Sequence, residues 1–260
     1  MKQTWIQKIS LLILIFSLFR VGAQAEAAPS AQDLLARLDQ AARAEAKVMR
    51  QSMTLISPGG QERKREMMTW SKQSDQGDQM LARFLAPADV KGTGILMSAE
   101  DMWLYLPALG RARRVAGHAK KGSFMGSDLS YADLEQISGG GFGESYEPLL
   151  LEGEELEGTD TFALKLVPLQ EGGDYSFLKI WIESQLWLPR KIEYYDHQET
   201  LLKHLTTWEL REIEGRWVAL KMVIKDVQKG SETILEIKEV SFSEEIDDSV
   251  FTTRNLERGR

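Results

Sequence analysis

Trp217-Val218-Ala219-Leu220-Lys221-Met222-Val223-Ile224-Lys225-Asp226-Val227 alternates in steps of two, with Val218, Leu220, Met222 and Ile224 on one side and Lys221 and Lys225 on the other. Successive side chains of an extended strand point to opposite faces, so this stretch reads as a strand with one apolar and one wet face. Its surroundings repeat the theme. Phe162 to Val167, Tyr175 to Ile182, Pro189 to Tyr195 and Leu201 to Ile213 precede it, and Thr233 to Phe242 follows. In Tyr175 to Ile182, Leu178, Ile180 and Ile182 share a face. Several of these runs reach about ten residues, longer than the usual five or six. Nearer the N-terminus, Met53 to Ser57, the turn Pro58-Gly59-Gly60 and Glu62 to Ser71 read as a hairpin. Gln79 to Ala86 is stopped by Pro87, Ile95 to Met97 follows a Gly-Thr-Gly turn, and Asp101 to Leu106 is stopped by Pro107. Short strands in sequence, without helices between them, predict an antiparallel meander rather than βαβ units.

Helical signals are few. Ser30 with Asp33 three residues on is a shortened capping box, and Leu34, Leu35, Leu38, Ala41 and Ala42 fall at helical spacing, which predicts a helix from Ser30 to about Val48. Ser130 to Ile137 carries a second capping box and two helical turns. That short helix lies inside a long connection, 107–143, which is basic at Arg111, Arg113, Arg114, Lys120 and Lys121 and ends in Gly139-Gly140-Gly141-Phe142-Gly143. A long connection of this kind inside a domain is usually functional or mobile. Arg254 to Arg260 reads as a frayed tail.

The ends and totals bound the class. Lys2 and Lys8, the 11-residue apolar run Ile9 to Phe19 and Ala23-Gln24-Ala25 form a cleavable export leader, 1–25, too short for the roughly 20 residues that span a bilayer. Residues 26–260 then read as a single domain, with no fixed-period repeat and no dividing linker. Cysteine is absent, which removes disulfides, thiol chemistry and a lipid-modified N-terminal cysteine. Export without lipidation points to a periplasmic protein. The leader takes Lys2, Lys8 and Arg20 and no acid, leaving 29 basic against 39 acidic residues, a formal charge of −10. Such a chain is a poor general binder of nucleic acid.

The chemical inventory is sparse. His118, His197 and His204 form no HExxH or i, i+4 pair, so neither metal nor cofactor is expected. There is no GxSxG elbow, and the glycine run matches neither GxGxxG nor a Walker loop. Adjacent acids such as Asp247-Asp248 read as solvated, and no catalytic residue is assigned. Aromatic and basic residues remain. Trp70, Trp103, Tyr105, Trp181, Trp187, Trp208 and Trp217 lie mostly in strands, either as core filler or as the wall of an apolar chamber. The basic cluster Arg111, Arg113, Arg114, His118, Lys120 and Lys121 stands out on an acidic chain as a contact for a partner or an anionic headgroup.

Asp101-Met-Trp-Leu-Tyr-Leu-Pro-Ala-Leu-Gly-Arg-Ala-Arg-Arg-Val115 and Gly122-Ser-Phe-Met-Gly-Ser-Asp-Leu-Ser-Tyr-Ala-Asp-Leu134 are distinctive. Together with Trp181-Ile182-Glu183, Trp187-Leu188-Pro189 and Lys191-Ile-Glu-Tyr-Tyr-Asp196, the chain resembles the outer-membrane lipoprotein-sorting-like family, related in fold to the carrier LolA. That resemblance implies a mainly β protein with helices (α+β): an incomplete, strongly curved antiparallel β-barrel whose concave face is covered by helices over an apolar cavity. It further implies a monomeric periplasmic carrier of lipoprotein acyl chains or another envelope lipid, not an enzyme. Some relatives are associated with RND/MMPL-type inner-membrane transporters, a plausible donor. Candidate cavity residues are Trp70, Phe84, Leu96, Trp103, Tyr105, Ile180, Ile182 and Trp208; candidate rim or partner contacts are Arg111, Arg113, Arg114, Phe124 and Met125, with Gly139 to Gly143 as a hinge. Two rivals stay open: an envelope-stress sensing or transporter-adaptor module of the same fold, and a hydrolase with an unrecognised site.

Overall fold

Ser30 starts the first element. In the computed structural model, which describes residues 29–74, 77–98, 101–137 and 141–259, the Ser30 hydroxyl accepts from Asp33 N while Asp33 accepts from Ser30 N. This reciprocal cap opens α1 (Ala31–Ala42), whose Leu34, Leu35 and Leu38 are buried. The helix is shorter than its sequence pattern predicts. Arg43 is already extended, and from Ala46 the chain pairs as β1 (Ala46–Ile56) with β2 (Glu62–Ser74). A long strand ladder outweighs the helical preference of Glu45, Ala46 and Lys47.

The meander continues outward through β3 (Gly77–Ala86), β4 (Gly94–Ser98), β5 (Asp101–Leu106) and β6 (Arg111–Arg114) to one edge of the sheet. A long connection containing α2 (Tyr131–Glu135) then carries the chain to the opposite edge, where β7 (Tyr146–Leu151) begins the return. The small β8 (Glu155–Leu156) pairs with β9 (Thr159–Pro168). β10 (Phe177–Glu183), β11 (Pro189–Tyr195), β12 (Leu201–Ile213), β13 (Arg216–Asp226) and β14 (Ser231–Ser241) follow, and β14 closes against β1. The resulting order is β6-β5-β4-β3-β2-β1-β14-β13-β12-β11-β10-β9-β7, antiparallel throughout and not closed. The sequence marked about ten strands; β6, β7 and β8 are among those it missed, being short or interrupted by Pro148.

The sheet has two differently covered faces. On one, Met53, Met80, Phe84, Met102, Leu164 and Ile180 join α1 and Phe124, Leu129 and Phe142 of the connection in a single core. On the other, a smaller cluster gathers Val48, Leu81 and Leu96 with Ile246, Phe251 and Leu256 from the C-terminal segment. The C-terminal end is therefore not a frayed tail. Thr252 caps α3 (Thr253–Arg258), Leu256 is fully buried, and the buried Arg83 guanidinium donates to the carbonyls of Asn255 and Leu256. The leader 1–25 lies outside the described residues.

Candidate functional site

The connection between the two sheet edges is built from the residues that make the sequence distinctive. Phe124 is fully buried, its ring 5.9 Å from Phe84, and the Met125 carbonyl accepts from Arg65. Gly126 adopts φ 78, a left-handed turn that a side chain would strain. Asp128 is anchored to β14, accepting from the Thr233 hydroxyl at 2.7 Å, while its carbonyl accepts from Lys203 Nζ at 2.9 Å. Ser130 caps α2, and Asp133 closes that capping box.

Asp133 is also the centre of a buried network. Lys203 Nζ on β12 lies 2.5 Å from its Oδ2, and the Tyr175 hydroxyl donates to Oδ1 at 2.9 Å. Lys203 sits over the rings of Tyr175 and Tyr194, 5.5 and 5.0 Å from their centroids. Burial, then the negative charge of Asp133, pushes Tyr146 up to about 12; the same two causes, in the same order, raise Tyr175 and Tyr194 well above the ordinary phenol value. All three phenols stay protonated, and are hydrogen-bond donors, at any physiological pH.

Asp133, Tyr146, Tyr175 and Tyr194 line an open cleft of about 1690 Å³. Its walls come from the adjoining ends of β2 and β3 and of β4 and β5 on one side, from α2, and from β10 and β11 on the other. Met97 and Leu178 belong to strands eight places apart in the sheet order, yet line the same cleft. On a flat sheet they would be roughly 38 Å apart, so the sheet curls, as long twisted sheets do. Met80, Met97, Leu178 and Tyr194 form an apolar floor. The rim is charged: Lys120 pairs with Glu135 at 2.8 Å and Lys121 with Asp174 at 3.2 Å. At the mouth, burial raises Asp78 above the ordinary carboxylate range, against the opposing pull of Arg43.

The sequence-derived candidates land elsewhere. Phe84, Ile180 and Ile182 belong to the α1-facing core, buried among packed neighbours rather than along the cleft. Trp70, Leu96, Trp103 and Tyr105 face the opposite side and pack with the C-terminal segment, and Trp208 is 39% exposed. Neither they nor Trp208 line the cleft; Leu96 sits on a strand covered on both faces, so its parity carries no polar mark, whereas Trp208 stands on an exposed stretch of β12. Arg111, Arg113 and Arg114 form the exposed edge strand β6, where charge discourages pairing with another sheet edge. Arg114 pairs with Asp101, and none of the three arginines lines the cleft. Phe124 is buried in the core, and Met125 packs partly buried against it; neither lines the cleft. Of the basic cluster, Lys120 and Lys121 are the members that reach the cleft. Sequence reading missed Met80, Met97, Tyr146, Tyr175 and Tyr194 as a group; the Tyr194-Tyr195 pair sat inside a quoted motif, but nothing local said it faced Asp133.

The described part of the glycine run has a clear local role. Phe142 N and Gly143 N each donate to the Asp39 carboxylate at 2.8 Å, tying α1 to the connection. A Cβ at Gly141, where φ is 65, would lie 2.5 Å from Asp39 Cγ. This segment is bonded to α1, which contradicts a free hinge there; Gly139 and Gly140 lie outside the described residues. His197 Nε2 contacts the Gly173 carbonyl at 3.0 Å, and His204 lies on β12 against Lys225, away from the cleft.

A model of a family described as "Uncharacterized protein" matches residues 76–258. Among solved structures, a domain designated outer membrane lipoprotein-sorting protein from Vibrio parahaemolyticus is 28% identical, with TM-score 0.82 over 88% of this chain and 98% of that one. A DUF1329 family protein from Desulfovibrio piger is 29% identical, with TM-score 0.82 over 87% of this chain and 97% of that one. The chain belongs to the outer-membrane lipoprotein-sorting-like family. A LolA superfamily protein from Nitrosomonas europaea, 21% identical with TM-score 0.71 over 86% of this chain and 98% of that one, shares the fold. No curated protein matches the chain by sequence. Within this lipoprotein-sorting-like fold, the connection motif from Phe124 to Asp133 is thus a structural strap that fixes α2 over β12 and β14 and places Asp133 at the cleft.

Proposed function

We propose that this protein is a periplasmic carrier that shelters acyl chains of lipoproteins or of another envelope lipid on the way between the inner and outer membranes. In this reading residues 1–25 are removed on export, residues 26–260 act as one monomeric unit, and loading is from an inner-membrane transporter of the RND/MMPL type. α1 and the connection serve as the cover over the curled side of the sheet. The observation that carries the reading is the cleft between the two halves of the sheet, open to solvent yet floored by Met80, Met97, Leu178 and Tyr194. Each methylene that leaves a membrane costs about 0.8 kcal/mol unless an apolar surface replaces it. A floor at the end of a large packed core is where such a surface can be extended. The interior itself is filled by side chains such as Leu34, Phe84, Phe124 and Leu129, so uptake requires that some of them move.

The test is direct. Protein purified from cell envelopes without detergent is examined by native mass spectrometry and by lipid extraction. The expected result is a stoichiometric acyl-containing adduct that is lost on extraction. Protein that is folded, and that neither carries nor takes up any acylated molecule from envelope extracts, overturns the reading.

A further inference from the structure

The face of β9–β13 turned away from the cleft carries its charges and its exposed aromatic rings in an ordered pattern. Leu149, Lys165, Lys179, Glu193, His204 and Lys225 stand directly opposite one another across β7, β9, β10, β11, β12 and β13. The next row on this face holds Trp181 and Lys191, and the one beyond it Trp208 and Lys221. Lys165, Lys179 and Lys191 lie over the rings of Phe177, Tyr195 and Trp181, at 4.0, 5.3 and 4.9 Å from the centroids. A lysine so placed rests its methylenes on the ring and keeps its ammonium in water. α1 and the connection pack on the other face of the sheet, and the C-terminal segment covers residues of β1 to β6, so neither shields this surface.

On a chain of formal charge −7, the local balance is reversed. The outward positions of these five strands hold five lysines against Glu183, Glu193 and Glu212. Glu183 is paired with Arg190 at 3.0 Å and Glu193 with Lys191 at 2.6 Å. Lys165, Lys179, Lys221 and Lys225 form no ion pair among the described residues. On the bordering β14, Glu232 and Glu236 stand opposite Lys225 and Lys221, and Glu236 is taken by Lys238 at 2.9 Å. Toward β8 the patch is bounded by Glu154, which accepts from the Trp181 indole.

At the far end of the β12–β13 hairpin the same face turns apolar. Leu210 opposite Ala219 lies between Trp208, 39% exposed, and Trp217, 41% exposed. A contiguous exposed apolar patch beside charged groups marks contact with a protein or a membrane. The cations decide between the two. The unpaired ones are all lysine, which is depleted in protein–protein interfaces, where arginine is enriched. Lysine clusters attract anionic lipid, and tryptophan settles at headgroup level.

We infer that this outward face of β9–β13 is a docking surface for an anionic phospholipid bilayer. Lys165, Lys179, Lys221 and Lys225 meet the headgroups, and Trp208 and Trp217 enter the interface. The contact is peripheral and reversible, and it leaves the cleft on the other face of the sheet free.

Flotation of protein purified from cell envelopes with lipid vesicles tests it. Binding to phosphatidylcholine vesicles containing about one quarter phosphatidylglycerol should be about tenfold or more tighter than to phosphatidylcholine alone, and should weaken as salt screens the charges. Replacing the four lysines together, Lys165→Gln, Lys179→Gln, Lys221→Gln and Lys225→Gln, should weaken it about tenfold or more. Arg111→Gln with Arg113→Gln, on the edge strand β6, should bind like wild type. Brominated lipid should quench wild-type tryptophan fluorescence, and Trp208→Phe with Trp217→Phe should remove most of that quenching; this second measurement holds even if the fourfold variant does not fold. Equal binding to both vesicle types, a folded fourfold variant that binds like wild type, or quenching that survives loss of the two tryptophans overturns the inference. Protein retained on polyglutamate that ignores both vesicle types has an acidic protein partner in place of a membrane, which also overturns it. Each of these failures leaves the carrier reading standing, since that reading is judged by the acyl adduct.

Discussion

Lys203 and Asp133 are 6% and 3% exposed and meet at 2.5 Å beneath α2. Removing one partner of a buried pair leaves the other charged in a poorly solvating interior. Lys203→Met should therefore lower unfolding free energy by about 3–5 kcal/mol, read as a shift in the urea midpoint. The double change Lys203→Met with Asp133→Leu should recover much of that loss. A Lys203→Met protein as stable as wild type would show that the strap is held elsewhere. Gly141 offers an independent check on the tie between α1 and the connection. Its left-handed backbone alone makes Gly141→Ala cost roughly 1–2 kcal/mol, and the new Cβ would press on the Asp39 carboxylate. Neither role was legible in the sequence. Ser130 and Asp133 announced a capping box, and the helix is there, but a capping aspartate reads the same whether its other oxygen faces water or a lysine 70 residues away.

At the level of elements, legibility followed polarity. β13 shows its two faces because one meets the core and the other carries Lys221 and Lys225, and its bounds were read to within a residue. β3 and β4 are apolar on both sides, as Met80-Leu81-Ala82 and Ile95-Leu96-Met97, since α1 and the connection cover one face and α3 the other. Without a wet side, parity cannot be assigned, and Leu96, Trp103 and Tyr105 were placed on the wrong face for that reason. The visible clue was at the C-terminus, where Phe251 and Leu256 flank the Thr252 cap. If α3 is a true part of the second core, Leu256→Ala should cost about 2–5 kcal/mol in urea unfolding. A tail that frays would make the same change nearly silent.

For the molecule as a whole, acid is the expected weakness. Hydrogen bonds hold Asp33, through Ser30, Glu236, through Lys238, and Asp247, through Ser249, below the usual carboxylate range. A carboxylate depressed in the folded state stabilises it above the unfolded value and loses that contribution as pH falls through the depressed one. Asp78, raised by burial, acts in the opposite sense and favours the fold at low pH. Glu193 and Asp226 are also held below that range, so with five such groups against one among the described residues the urea midpoint should fall between neutral pH and the acid end of the carboxylate range; an unchanged midpoint would mean these contacts are not maintained in solution. By itself the sequence determined an antiparallel, mostly β chain with one capped N-terminal helix, a short capped helix in a long connection, and a family. These follow from local alternation, capping and turn residues, which act over a few positions. Only the tertiary structure decided that the sheet curls so that Met97 and Leu178 line one cleft, that Asp133 meets Lys203, and that the tail seals the second face. Such contacts join residues far apart in the chain, and they depend on which apolar face of each strand is buried against which neighbour.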